Sequence, residues 1–339
     1  MLYVTTRNNL DAFTPQHPLQ QPYPSDGGGW KPFGGVGFSA EEIAALRELS
    51  FNGVLATVLN RLFDKKLTSW DLDFCIGRYP VRLTPLANRV TVGEPWHNPE
   101  WQFSAMSQRL TALLGGCEAS GWADMAVRIG VLFGIYGEMM RSGSLKPGEF
   151  MDVAVLSGDF QMPMSAWYAR QWGLPIGSIV CACNENNGIW NLICHGQFRT
   201  DDVSVATCVP RADVVIPREL ERLICECGGI LEMEDYLGCC ETGRTYYPDE
   251  ATLQALRKGL YVSVVSSNRV GQTVKGVWDS HKYILSGESA LVYSGLQDYR
   301  AKKGQLRPAV VMTENSPRTD AMLVASALSI APEQINQYF

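Results

Sequence analysis

Residues 151–187 constrain the fold more than any other stretch. Met151–Leu156 is a continuous apolar run bearing one acid, Asp152. Ser157-Gly158-Asp159-Phe160 leads into a helical pattern over about Pro163–Trp172. Gly173-Leu174-Pro175-Ile176-Gly177 links that helix to a second apolar run, Ser178–Cys183, closed by Asn184-Glu185-Asn186-Asn187. Apolar runs of strand length alternating with helical patterns call for a parallel sheet flanked by helices, so the expected class is α/β.

The rest of the chain is compatible with that class. Its 339 residues are 46% hydrophobic and 19% charged, enough for one large domain or two medium ones. The net charge is −6 and no long basic run occurs, so nucleic acid is not an expected partner. Met1-Leu2-Tyr3-Val4-Thr5-Thr6-Arg7 lacks a basic stub followed by an apolar core, so no signal peptide is expected. No apolar run reaches membrane-spanning length, and no membrane association is expected. Ten cysteines without an export signal point to a reducing cytoplasm. Cys181/Cys183 and Cys225/Cys227 are Cys-x-Cys pairs and Cys239-Cys240 are adjacent; none has zinc-type spacing, so no metal is expected.

Helix signals fill the first half. Ser39 and Glu42 form a capping box before Ile43, Leu46 and Leu49. Further helices are expected over about Gly53–Phe63, Trp70–Tyr79, Trp101–Leu114 and Trp122–Met140, with Gly115-Gly116 ending the Trp101–Leu114 helix. Asn88–Val92 and Ala309–Thr313 read as strands.

Between strand and helix lies Gly93-Glu94-Pro95-Trp96-His97-Asn98-Pro99-Glu100-Trp101-Gln102-Phe103-Ser104-Ala105, running on to Arg109. It resembles the cofactor-attachment segment of threonine synthases, pyridoxal-phosphate (PLP) enzymes of fold type II, which reads roughly E-L-F-H-G-P-T-x-A-F-K-D-x-x-x-R. Glu94, His97, Pro99, Phe103 and Arg109 match. Ser104 stands where the family has the lysine that forms the Schiff base, and Ala105 replaces the following aspartate. A hydroxyl cannot form an imine.

The block from Met151 to Asn187 is similar to the family's V-x-S-G-N-F-G-N, helix, M-G-L-P-I, strand, N-E-N-D. Tyr3-x-Thr5-Thr6-Arg7 with Asp26-Gly27-Gly28 is similar to its opening. Ala212–Leu223 resembles M-D-I-x-x-P-S-N-F-E-R-L. Ser286-Gly287-Glu288 stands at D-P-H, and Glu314-Asn315-Ser316-Pro317 follows the strand that the family ends with T-A-H-P. Arg128 fits the arginine of S-I-N-x-x-R, while Met125 stands at its asparagine.

The resemblance implies the large domain of a fold type II enzyme over 101–339, preceded by an arm, helices and a strand over 1–100. Only 23 residues separate Ser104 from Arg128, where the family holds a small cofactor-covering domain of several βα units. One βαβ unit takes about 30 residues. That domain is therefore expected to be deleted between about 110 and 122.

By resemblance the phosphate turn is Ser157, Gly158, Asp159 and Phe160, and Thr313 is the hydroxyl near the pyridine nitrogen. Asp159 replaces the family asparagine and would repel a phosphate dianion. It is read as an N-cap satisfying the helix donors, with a neutral or cationic ligand as the alternative. Lys282 is the remote candidate for a substitute lysine. His97 is as easily a packed structural residue as a family histidine, and Cys194-His195 is too poorly oriented for a nucleophile pair.

Three departures point to a pseudoenzyme that acts by binding or interaction, with no catalytic residue intact and no cofactor. The alternative is a PLP-dependent lyase making threonine from homoserine phosphate, holding its cofactor noncovalently or through another lysine. Loss of a covering domain is expected to expose apolar surface for a protein partner or a homodimer, and Trp96 and Trp101 either plug the cleft or form that surface.

Overall fold

A computed structural model describes residues 1–97 and 102–338. The arm begins with β1 (Leu2–Thr5), continues through α1 (Gln16–Gln20) and returns as β2 (Trp30–Phe33), antiparallel to β1. Helices α2 (Ala40–Ala45), α3 (Phe51–Phe63) and α4 (Ser69–Ile76) follow. Ser39 caps α2 with both hydrogen bonds of the capping box in place. Thr68 and Asp71 make a second box at α4.

The expected strand at Asn88–Val92 is corrected to a hairpin of β3 (Arg82–Leu86) and β4 (Val90–Glu94). Asn88 and Arg89 are not strand residues. Both have φ of 59°, and Val90 N–H donates to the Ala87 carbonyl, a tight turn within the three-residue connection 87–89. Helices α5 (Phe103–Leu113) and α6 (Gly121–Arg141) come next, joined by seven residues, 114–120.

The alternating half holds β5 (Met151–Leu156), α7 (Gln161–Gln171), β6 (Ile176–Cys183), α8 (Gly188–His195), α9 (Leu220–Thr242), α10 (Glu250–Gly259), β7 (Tyr261–Val264), α11 (Ser267–His281), α12 (Gly287–Lys303), β8 (Ala309–Met312) and α13 (Ala321–Leu328). Sheet order is β3-β4-β8-β5-β6-β7, parallel throughout except for the β3–β4 pair. β8, last in sequence, is inserted between β4 and β5, with Val311 level with both Val92 and Ala154.

Strand alternation divides the core in two. Val153, Val155, Ile179, Cys181, Val310 and Met312 face one layer, which also holds the apolar faces of α3, α5, α6 and α7. Ala154, Val180, Ala182, Ala309 and Val311 face the other, built from α11, α12 and α13. The molecule is thus an α/β sandwich with a mostly parallel sheet between two helical layers. The boundary expected at 100/101 lies outside the described residues; β4 before it pairs with β8 after it, and one core runs from Tyr3 to Met312.

The arm is tied down by polar contacts. Tyr3 Oη donates to the Leu62 carbonyl at 2.8 Å. Thr6 Oγ1 and Arg7 both bond Glu221 near the start of α9, at 2.5 and 2.9 Å. The sequence segments Tyr3–Arg7 and Pro217–Leu223 therefore meet in space.

Candidate functional site

In a parallel α/β sheet, ligand sites form beyond the carboxyl ends of the strands. A cavity of about 130 Å³ lies there, lined by Leu156 at the end of β5, Met312 at the end of β8, and Gly158, Asp159, Met162, Arg211, Val214, Glu288, Thr313 and Glu314. The expected site residues Gly158, Asp159 and Thr313 do come together. Ser157 and Phe160 belong to the same turn but are buried beside it, Phe160 in the core.

The turn from β5 to α7 is closed on itself. Ser157 N–H donates to the Ala182 carbonyl, and Phe160 N–H donates back to the Ser157 carbonyl at 2.7 Å. Gly158 has φ of +40°, and a Cβ there would sit 3.0 Å from the Arg211 carbonyl. Asp159 is not the N-cap, which corrects the expectation. Phe160 holds that position with φ of 70°, and the Asp159 carboxylate accepts the N–H of Gln161, the first helical residue, at 3.1 Å. Pro163, the third, has no N–H. The donors available to an anion are correspondingly few.

A second helix start reaches the cavity, and two of its donors are also taken internally. Ser286 caps α12 by accepting from Ser289 N–H at 3.1 Å, and Asp320 accepts from Gly287 N–H at 2.7 Å. Thr313, 3% exposed, shares a hydrogen bond of 2.6 Å with the Ser289 hydroxyl, which accepts another from Ser286.

The lining carries three carboxylates, Asp159, Glu288 and Glu314, against one cation, Arg211. Arg211 pairs with Glu314 at 2.9 Å and approaches Glu288 at 3.6 Å. Beneath it, buried Arg128 joins Glu314 and, at 2.9 Å, Asp124, which accepts from Ser107 on α5 at 2.5 Å. Burial raises the Glu288 carboxyl above the usual carboxylate range; Arg211 opposes this, and nearby Asp320 adds to it. Asp320 is raised by burial as well.

The remaining expected residues sit outside the cavity. Ser104 is exposed on the first turn of α5. Its neighbour Phe103 packs under Arg128, whose guanidinium carbon is 4.5 Å from the ring centre, so α5 borders the cavity wall without lining the cavity. Lys282 is exposed, ends α11 with φ of 54°, and holds its ammonium 5.3 Å from the Trp278 ring centre; it does not reach the cavity. Glu94 is fully buried, bonded by Arg82 and by Tyr283 Oη at 2.6 Å. His97 Nδ1 meets the Glu94 carbonyl at 2.9 Å, a packed structural role. Trp96 is 7% exposed, buried rather than presented to a partner; Pro99 and Trp101 lie outside the described residues.

Sequence reasoning missed Arg211, Glu314 and Asp320 as site residues. Glu314 stood in a noted segment, but nothing local in sequence brings it to Arg211. Among the described residues no group of three His, Cys, Asp or Glu side chains converges on a metal position, and no helix is long and apolar enough to cross a membrane.

No family model matches the chain. A stretch of 183 residues, 53% of this chain, is 22% identical to human threonine synthase-like 1 and spans 24% of that protein. Another of 195 residues, 52% of the chain, is 22% identical to yeast threonine synthase and spans 37% of it. The matches thus span about a quarter to two fifths of these curated relatives. Among solved structures, PLP-bound threonine synthase from Brucella melitensis superposes with a TM-score of 0.85 at 17% identity, over 97% of this chain and 92% of that one. Yeast threonine synthase superposes at 0.80 and 16% identity, over 99% and 93%. By sequence the chain is similar to threonine synthases and threonine synthase-like proteins over about half its length, and over nearly its whole length it carries the fold of solved threonine synthases.

Proposed function

We propose that this chain is a threonine-synthase-like pseudoenzyme, a cytoplasmic binding or interaction protein that does not run the family's PLP-dependent lyase reaction. The observation that carries the reading is the composition and size of the cavity at the ends of β5 and β8. PLP brings a phosphate dianion and an aldehyde. The cavity lining has an acid excess of two and no lysine. Its volume of about 130 Å³ is under half the lower end of ordinary small-molecule sites, roughly 300–1,000 Å³. Three N–H groups at the helix starts beside it, those of Gln161, Gly287 and Ser289, are already taken by the chain's own carboxylates and hydroxyl. These residues do not fit the cofactor.

Ser104 at the family lysine position and the seven-residue link between α5 and α6 support the same reading. On it, the small domain is missing between about 110 and 122. The cytoplasmic placement is supported by ten free thiols. The competing reading, a lyase that keeps PLP noncovalently or through Lys282, draws on the likeness to a PLP-bound threonine synthase.

Titration of the purified protein with PLP, followed by visible absorbance, separates the two. The expected spectrum is that of free cofactor, with no threonine formed from homoserine phosphate. An aldimine band abolished by Lys282→Ala, or turnover of homoserine phosphate, would overturn the pseudoenzyme reading.

A further inference from the structure

The amino ends of the parallel strands lie at the opposite end of the sheet from the cavity described above. There a second cavity of about 370 Å³ opens between Gly177–Ile179 in β6, Tyr261 at the start of β7, and the last turns of α7, α10 and α12. Its wall carries five residues with cationic side chains, Arg170, Arg257, Lys258, Lys303 and Arg307, and, among the described residues, no carboxylate. The chain as a whole carries −6, so this is not its average surface.

Ordinary helix chemistry accounts for part of this charge. Basic residues complement the partial negative charge of a helix C-terminus, about half a charge each. Arg170, Lys258 and Lys303 stand in the last turns of α7, α10 and α12. Arg257 donates to the Ile193 and Cys194 carbonyls at the end of α8, at 2.8 and 3.2 Å. Arg307 approaches buried Asp152 at 3.5 Å. Four helix ends and one carboxylate offset about three of the five cations, so roughly two positive charges remain.

That remainder falls on groups with open donors. Among the described residues, Arg170, Lys258 and Lys303 have no hydrogen-bond or ion-pair partner in the chain. Lys258 and Lys303 are exposed, but Arg170 is half-buried. Burial pushes its guanidinium below the ordinary value, and no carboxylate opposes this. A guanidinium with five N–H donors is costly to desolvate unpaired. Arg170 Nη2 lies 3.7 Å from where a Cβ on Gly259 would stand, and Arg307 Nη1 lies 2.6 Å from one on Gly177, so both guanidinium groups reach the cavity wall. Leu260 and Tyr261 add an apolar side.

We infer that this cavity binds a small phosphorylated molecule, its phosphate dianion held by Arg170, Lys258 and Lys303. A dianion matches the uncompensated charge, and Arg and Lys are the side chains that bind phosphate. The volume falls within the range of small-molecule sites, roughly 300–1,000 Å³, leaving room for more than a bare oxyanion. The inference does not rest on the pseudoenzyme reading, and a phosphate probe without an aldehyde tests it separately from the PLP question.

Calorimetric titration with inorganic phosphate and with pyrophosphate, at constant ionic strength, tests this. Both are expected to bind. Arg170→Gln, Lys258→Gln and Lys303→Gln should each weaken binding about tenfold, the loss of one charge-assisted hydrogen bond. Lys66→Gln, at an exposed position after α3, should leave it unchanged. Lys258 and Lys303 are exposed and unpartnered, so their variants should keep the wild-type circular dichroism and test the site even where Arg170→Gln fails to fold. Binding of neither anion at millimolar concentration overturns the inference. Binding unchanged in Lys258→Gln and Lys303→Gln places the anion elsewhere and overturns it as well. Vesicles of phosphatidylcholine and phosphatidic acid are expected not to sediment the protein. Sedimentation lost in the same variants would make the site a membrane surface and overturn the small-molecule assignment.

Discussion

Glu288 shows what a single residue contributes at the cavity. It is 4% exposed, accepts from Asn315 Nδ2 at 2.6 Å, and faces Arg211 on one side and Asp320 on the other. Its carboxyl is raised in the folded state, chiefly by burial. A raised acid binds its proton more tightly folded than unfolded. Stability from this group is therefore complete below the unfolded value, about 4.3, and declines as pH rises through the folded value. Glu288→Gln keeps an acceptor for Asn315 and removes the titration. We expect its melting temperature to gain on wild type as pH is raised from 4 to 7, with the smallest difference at the acid end. A difference independent of pH would show that Arg211 compensates the buried charge in full. At this scale the sequence displayed the identity of Ser104, Asp159 and Thr313, but not that Asp159 leaves the cap to Phe160. That outcome depends on the φ of a single residue, which the residue types alone leave open.

At the scale of elements, the packing of α6 on α3 decides how close the arm-side helices come to the sheet. Gly130, Gly134 and Gly137 lie along one side of α6, over Leu55, Phe51 and Val54 of α3. A Cβ on Gly134 would stand 2.8–3.0 Å from three atoms of the Phe51 ring. Alanine normally improves a helix interior by about 1 kcal/mol over glycine. Here overpacking against a buried ring costs roughly 1–3 kcal/mol, so Gly134→Ala should be net destabilising by chemical denaturation. A stabilised variant would mean that the ring can withdraw without cost. Helices and central strands were legible because their periods are local: β5 runs over Met151–Leu156 as its apolar run indicates. β3 was not legible. Arg82-Leu83-Thr84-Pro85-Leu86 is an edge strand that tolerates proline and has little apolar alternation, so only pairing with β4 identifies it.

At the scale of the whole molecule, the arm is a structural tie. It supplies the Tyr3 bond to Leu62, the Thr6 and Arg7 contacts to Glu221, and the Trp30 carbonyl that receives buried Arg222. Arg222, 2% exposed, also pairs with Glu219 at 2.6 Å. Removing residues 1–37 would strip Arg222 of an acceptor and uncover core around Tyr3 and Trp30, leaving buried polar groups unpaired at about 1–3 kcal/mol each. Calorimetry should show one cooperative transition for the full chain and a markedly lower or absent one for the shortened chain. An unchanged melting temperature would make the arm an appendage.

The sequence by itself determined the class of this protein: apolar runs of strand length alternating with capped amphipathic helices admit few solutions other than a parallel sheet between helical layers, because both signals are short-range. Only the tertiary structure decided the character of the site. Asp159, Glu288 and Glu314 are far apart in the chain and become neighbours because β8 inserts between β4 and β5, carrying Thr313 and Glu314 to the end of β5. No local pattern encodes that insertion; it follows from how the two apolar layers close over the sheet. The meeting of Arg170, Lys258 and Lys303 was hidden for the same reason, since three helix ends come together only where the sheet places them.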